Sequence, residues 1–336
     1  MKLPIDARIL VYALACISSV FLAIEYTRIA PTLEYVQPHH TPRPTCSPRS
    51  TKAASPDIVI YIPTPIEWVE RRHTVLSQFL RESHAGVHLL FFFGTKQGPN
   101  LELEMDNIDA GRKEAARHTA LYPRVQYIFT ECRDMGDEPN NPNGTSSTTC
   151  KVYEALRHIA HAYKDSPPKY VWRGADDAYL DIAVFRKHVM PLIQSCRLFL
   201  GRTRFPLPGR QKDLELLPHQ PALHTLFGLQ KFGKYMVGMG FCMSWDVAAF
   251  IGNAPIPPRL TWCEDVMVGH WLLFYDVDFV DIRSVTPKVR MLHADMERYE
   301  PFYHVLVAHK MSRSQWVALA RRPLDSHLAV YLEGNH

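Results

Sequence analysis

The chain has 336 residues, 46% of them hydrophobic and 21% charged. That composition excludes a disordered or fibrous protein and leaves room for one large domain or two small ones. The formal net charge is only +4, and no lysine or arginine run stands out, so there is no electrostatic footprint for nucleic acid.

At the N-terminus, Lys2 and Arg8 precede an uncharged run, ILVYALACISSVFLAI, which Glu25 and Arg28 close. Residues 9–24 would reach about 24 Å as a helix, close to the thinner membranes of the early secretory route. No small-x-small cleavage site follows, so the run reads as a signal-anchor in preference to a cleaved signal peptide. Residues 1–8 are then a short cytoplasmic tail. Residues 25–56 spread Pro31, Pro38, Pro42, Pro44, Pro48 and Pro56 among Thr, Ser and His. Such a segment cannot bury a core and reads as an extended stem. The remainder, 57–336, is expected to be a lumenal head, giving the outline of a single-pass type II membrane protein.

Cysteine usage fits that compartment. Cys16 lies in the anchor, and Cys46, Cys132, Cys150, Cys196, Cys242 and Cys263 remain. None has CxxC spacing, which disfavours a cysteine zinc site, and an even number allows up to three disulfides of open connectivity. Asn143-Gly144-Thr145 is a sequon, so Asn143 is a candidate for N-glycosylation.

Within the head, apolar runs alternate with amphipathic stretches. Residues 57–63 read as a first strand, 68–81 as a helix, 87–95 as a second strand, 101–121 as a helix and 124–131 as a third strand. A Gly/Asn/Pro-rich loop at 134–145 precedes a helix over 148–163 and a strand over 169–172. This order predicts an α/β fold with a mostly parallel central sheet and helices on both faces. Further on, 195–205 reads as a strand, 234–251 as a glycine-bearing turn entering a strand and helix, and 261–275 as a helix with Glu264 and Asp265 at its start. Residues 276–281 are a short strand, and VRMLHADM follows. No GxGxxG follows the first strand and no GxxxxGK[ST] occurs, which argues against a dinucleotide fold of the usual kind and against a P-loop.

Two acidic pairs carry the chemical signal. Asp176-Asp177, in WRGADDAYLD, falls just beyond an apolar strand, where ligands of parallel sheets bind. Either the two are solvated turn acids, or they hold a divalent cation that bridges nucleotide phosphates. Glu264-Asp265 either cap a helix N-terminus or supply a general base.

Six stretches then come in order: ERRHTV (70–75), FFFGT (91–95), TTCKVYEAL (148–156), YVWRGADDAYL (170–180), YMVGMGFCMS (235–244) and CEDVMVG (263–269). Each alone is unspecific. Jointly, behind an anchor and a stem, they resemble the β-1,3-glycosyltransferases, the group with β-1,3-galactosyl-, β-1,3-N-acetylglucosaminyl- and fringe-type enzymes. The similarity covers roughly residues 57–295.

The resemblance implies a GT-A fold and inverting, metal-dependent transfer of galactose or an N-acetylhexosamine from a UDP-sugar to a glycan, forming a β-1,3 bond. It implies Mn²⁺ or Mg²⁺ as cofactor and a Golgi or endoplasmic reticulum membrane as location. Residue by residue, Asp177 takes the family's metal-ligand position and Asp265 that of the general base. His293 stands where relatives place a metal-binding histidine. Arg72, in R-x-T, is expected at the diphosphate or uridine, Thr64 at the uracil, and Lys151, in T-x-K, either at the donor or in a structural role. Asp176 is expected at the donor. The family usually carries three acids in a row where this chain reads Ala175-Asp176-Asp177, which puts donor affinity or choice in question. A non-catalytic lumenal protein that binds glycans or a partner on the same fold is the alternative.

Overall fold

Uninterrupted apolar runs build the parallel half of the sheet. IVIYIP forms β1 (Ile58–Pro63), VHLLFFFGTK forms β2 (Val87–Lys96), VQYIFTECR forms β3 (Val125–Arg133) and YVWRG forms β4 (Tyr170–Gly174). Strands covered on both faces need apolar residues at successive positions, not an alternation, and every residue of β1 and β4 is buried. The structure, a computed structural model, describes residues 55–81, 85–96, 105–135, 146–204, 235–254, 264–272, 275–293 and 304–310. All lie within a single unit spanning Ser50–His336. The anchor run 9–24, the stem up to residue 54 and the Asn143 sequon fall outside the described residues, among which no helix is long and apolar enough to cross a membrane.

Helices α1 (Val69–Arg81), α2 (Met105–Leu121) and α3 (Ser147–Ala162) connect these strands. Helix α3 opens on Ser146, whose Oγ accepts the Thr149 amide at 3.4 Å, the usual device for satisfying a first-turn N–H. The chain continues through β5 (Ala178–Leu180), a helical stretch over 182–192, β6 (Leu198–Arg204), β7 (Tyr235–Ser244), α4 (Trp245–Gly252), α5 (Glu264–Trp271), β8 (Asp278–Asp281), β9 (Val289–His293) and β10 (His304–His309).

The central sheet has the order β3-β2-β1-β4-β7-β6-β8. It is parallel through β4 and again at β6–β8, while β7 runs antiparallel to both of its neighbours. A second sheet has the order β5-β10-β9. The expected mostly parallel sheet is therefore present. The antiparallel β7 and the small second sheet, with β10 beyond the last expected element, were not read from the sequence. Strand pairing between distant short runs leaves no local periodicity to read.

Side chains of each strand divide between two cores. On one face Ile60, Phe91 and Trp172 meet Val75, Leu76 and Phe79 of α1 and Ile108 of α2. On the other, Tyr61, Phe92 and Phe241 meet Val152 and Leu156 of α3, Val247 of α4 and Val268 of α5. Cys132 and Cys150 form a disulfide that ties the end of β3 to the first turn of α3 across 18 residues. A loop of that length is worth about 3 kcal/mol of chain entropy. Cys242 is a free thiol buried in β7, so the six cysteines beyond the anchor run do not form three bridges.

Helices α3 and α4 approach closely because Gly252 has no side chain. A Cβ there would lie 2.4 Å from the Leu156 carbonyl oxygen and 2.8 Å from the Ala160 Cβ. Backbone cannot yield as a flexible side chain would, so Gly252→Ala should cost about 1–3 kcal/mol, the range for an overpacked core. Urea denaturation measures this. Unchanged stability would show that the two helices are not held at this spacing.

Candidate functional site

The carboxyl ends of β1 and β4 lie side by side, and the chain leaves β1 through the turn Thr64–Ile66. Past β4 it presents Asp176 and Asp177. Thr64 Oγ1 donates to Asp176 Oδ2 at 2.7 Å, and the Arg71 guanidinium stands 3.4 Å from Asp176 Oδ1. Burial pushes the Asp176 carboxyl above its ordinary range, against the hydrogen bond from Thr64. Asp177 Oδ1 faces His309 Nε2 at 3.1 Å. Burial pushes Asp177 up too, but the hydrogen bond and charge of His309, with Arg71 and Arg173, bring it below its ordinary value. Two adjacent carboxylates thus sit in one partly desolvated place with opposite shifts, which makes the place a candidate functional site.

The second acidic pair joins this site through β7. The Gly238 amide donates to Asp265 Oδ2 at 3.0 Å, and Asp265 Oδ1 accepts the Val266 amide at 2.8 Å. Gly238 lies within β7 between its paired stretches, and Val266 lies in the first turn of α5, where the amides lack a helical partner. Arg173 Nη2 lies 2.7 Å from Glu264 Oε1, and Arg173 Nη1 donates to the Gly238 carbonyl. Gly238 is therefore held by one acid through its N–H and by the arginine of β4 through its C=O.

A set of buried charges fixes the turn after β1. Arg72 is fully buried and donates to the carbonyls of Pro65 (2.6 Å) and Ile66 (2.7 Å) and to Glu114 Oε2 (2.8 Å). Lys151 Nζ donates to the Thr64 carbonyl (3.1 Å), the Asp134 carbonyl (2.5 Å) and Asp134 Oδ1 (3.2 Å). Asp134 also accepts the amides of Ile66 (2.7 Å) and Gly94 (3.0 Å). Burial lowers the Lys151 pKa, outweighing the attraction of Asp134. The Cys132–Cys150 disulfide lies two residues from Asp134 and one from Lys151.

These contacts sort the residues expected from sequence. Asp176, Asp177 and Lys151 line one cavity of about 360 Å³, together with Trp68, Arg173 and His309. Asp265 reaches its rim through Gly238. Arg72, expected at the diphosphate, instead spends its donors inside the fold. Thr64 is fully buried, with its hydroxyl on Asp176 in place of an outside ligand. The histidine on Asp177 is His309; His293 ends β9, its backbone in register with His309. Ala175 packs in the apolar core and helps line a cavity of about 30 Å³ with Ile60 and Ile62. Ala175 also lines the acidic cavity, so a carboxylate there would stand between apolar packing and two like charges.

Four contributors were missed. Arg71 stacks on the Trp68 ring, 3.9 Å from its centroid, with its side chain 45% exposed beside Asp176. It sits beside Arg72, and the doubled arginine was a usable signal. Arg173 lay inside the WRGADD stretch. Asp134 and His309 had no motif around them. As a donor set, the Asp177 carboxylate and the His309 imidazole fit a cation that accepts both oxygen and nitrogen, which Mn²⁺ does.

No family model matches the sequence, and no curated protein does. Among solved structures, the chain is similar to a mannosyltransferase from Pyrobaculum calidifontis in complex with GDP-Man and Mn²⁺, at 11% identity and a TM-score of 0.39, over 68% of this chain and 55% of that one. It is also similar to galactosyltransferase LgtC in complex with donor and acceptor sugar analogues, at 10% identity and a TM-score of 0.43, over 78% and 95%. A third is core-mannan synthase A from Aspergillus fumigatus in its Mn/GDP form, at 12% identity and a TM-score of 0.35, over 70% and 75%. Identity and structural overlap are both low, so the functional reading stands on the residues of this chain.

The division into supports and exposed groups is measurable. Lys151→Ala leaves the buried Asp134 carboxylate uncompensated and should lower the unfolding free energy by about 3–5 kcal/mol. Arg71→Ala removes a half-exposed partner of Asp176 and should change it by less than about 1 kcal/mol. Equal effects in urea denaturation would contradict the assignment.

Proposed function

We propose that the chain is an inverting glycosyltransferase of the GT-A type. It transfers galactose or an N-acetylhexosamine from a UDP-sugar to a hydroxyl of a glycan acceptor, forming a β-1,3 bond. It would work on the lumenal side of the Golgi or endoplasmic reticulum membrane; the uncharged run at 9–24 and the Pro-rich stretch after it support that reading. One observation carries the chemistry: two acidic sites meet at one cavity, one joined to a histidine and the other to a glycine amide at the rim.

Asp177 and His309 would hold the divalent cation, so the ligand role expected of His293 passes to His309. The cation supplies positive charge against the diphosphate of the leaving group. Asp176 stays bound to Thr64 and Arg71, beside the cation site. The exposed edge of Arg71, flattened on Trp68, offers a second positive charge to the phosphates. Lys151, Arg72 and Thr64 support the turn from within.

Asp265 is the base. Inversion is one displacement: the bond from the anomeric carbon to the diphosphate oxygen breaks as the acceptor oxygen attacks from the opposite face, and the hydroxyl proton passes to the Asp265 carboxylate. The Gly238 amide on Oδ2 and the Val266 amide on Oδ1 fix the direction of that carboxylate. Glu264, tied to Arg173, keeps a structural charge pair next to it.

Asp265→Asn keeps the shape and one of the two amide hydrogen bonds but removes the base. It should cut turnover by about 10²–10⁴-fold while leaving the donor dissociation constant roughly unchanged by calorimetry, and excess EDTA should abolish activity. Wild-type turnover in Asp265→Asn would move the base elsewhere, and full activity in EDTA would remove the metal from the mechanism. Ala175 favours one other reading, a glycan-binding protein on the same fold. Mn²⁺-dependent nucleotide binding without turnover on any UDP-sugar would decide for it.

A further inference from the structure

A second cluster of ligating side chains lies between α1 and α2, outside the acidic cavity. One ring nitrogen each from His73 and His118 and one carboxylate oxygen of Glu114 all lie within 4.8 Å of one another. Glu114 and His118 are one helical turn apart on α2, the i, i+4 spacing that places two side chains on one face. His73 comes from α1, with Nε2 3.7 Å from Glu114 Oε1. The two imidazole centroids are 5.5 Å apart. A cavity of about 420 Å³, lined in part by His73, Glu114 and Arg117, opens beside the cluster.

The neighbours prepare each ligand. Arg72 holds Glu114 Oε2 at 2.8 Å and so orients the carboxylate. His118 Nδ1 lies 2.6 Å from the Tyr127 hydroxyl, and His118 Nε2 lies 3.1 Å from Arg117 Nη2. Arginine can only donate, so Nε2 carries the lone pair and Nδ1 the proton that Tyr127 accepts. Nδ1 is also the ring nitrogen that lies 4.0 Å from Glu114 Oε1, so an ion between the two replaces the Nδ1 proton and shifts it to Nε2, which can then no longer accept from Arg117.

We infer that His73, Glu114 and His118 form a zinc-class transition-metal site that pins α1 to α2. Two imidazoles and a carboxylate suit such an ion and leave a coordination position open to water or a small ligand in the groove. Arg117, exposed and on the lone pair of His118, is the group an ion displaces. Arg72, Arg117 and Lys113 make the surroundings cationic, which holds the affinity below that of a thiolate site. Through Arg72 the ion reaches the carbonyls of Pro65 and Ile66, so occupancy stiffens the turn beneath the acidic pair.

The test uses the full-length chain in detergent, stripped of metal and carrying Asp177→Asn to silence the acidic site. Zn²⁺ alone is titrated against a chromophoric chelator. One equivalent should bind. His73→Ala, at an exposed helix position, should weaken binding by about tenfold or more, and His73→Gln should do the same with side-chain size and polarity better kept. Arg117→Ala should tighten binding, a result that a merely structural role would not give. Co²⁺ in place of Zn²⁺ should show visible absorption that His73→Ala removes. Binding indifferent to both His73 changes, or weakened by Arg117→Ala, would overturn the site.

Discussion

Three consecutive carbonyls, those of Thr64, Pro65 and Ile66, are each held by a buried cation, and the rest of the site depends on that clamp. Lys151 takes the first and Arg72 the other two. Neither charge is tolerable in the interior alone. Each is matched by a carboxylate, Asp134 for Lys151 and Glu114 for Arg72, and each carboxylate comes from a different element. Replacing such pairs with apolar residues often leaves a protein no less stable. Their presence is therefore better explained by what they position. They fix the exit of β1, and through the Thr64 hydroxyl they fix Asp176.

From there the geometry proceeds outward. Asp176 is satisfied within the fold, which leaves Asp177 at the margin beside His309. Arg173, one strand position before Gly174, carries the connection to the second acidic pair by holding Glu264 and the Gly238 carbonyl together. The two carboxylate sites are thus joined across β4, β7 and α5, by the bonds of Arg173 on one side and by the short chain from Arg173 to Asp176 on the other. The disulfide beside Asp134 and Lys151 adds a covalent stop where β3 meets α3. A rigid support of this kind holds reacting groups in place better than loops would.

Much of this was legible in the sequence. The four buried strands of the parallel half announced themselves as apolar runs, and Asp176, Asp177, Glu264 and Asp265 stood out because paired acids at element ends are costly without a purpose. The uses of Arg72 and Lys151 were not legible, since a motif names a residue but not which way its donors point. His309 was hidden for another reason. It comes next to Asp177 by pairing of β10 with β5, a contact between residues far apart in the chain, whereas His293 was expected from where relatives place a metal-binding histidine. Ala175 was read as a missing acid. In the fold it is also an apolar packing residue, facing Ile60 and Ile62.

The claim that the Asp177–His309 pair is a metal site is tested most directly by pulsed electron paramagnetic resonance of Mn²⁺ bound to the full-length chain. Imidazole nitrogen coordinated to the ion produces a hyperfine modulation. The account predicts that modulation in the unaltered chain and in His293→Ala, and its loss in His309→Ala. Loss in His293→Ala with retention in His309→Ala would contradict it, as would a spectrum with no nitrogen coupling at all.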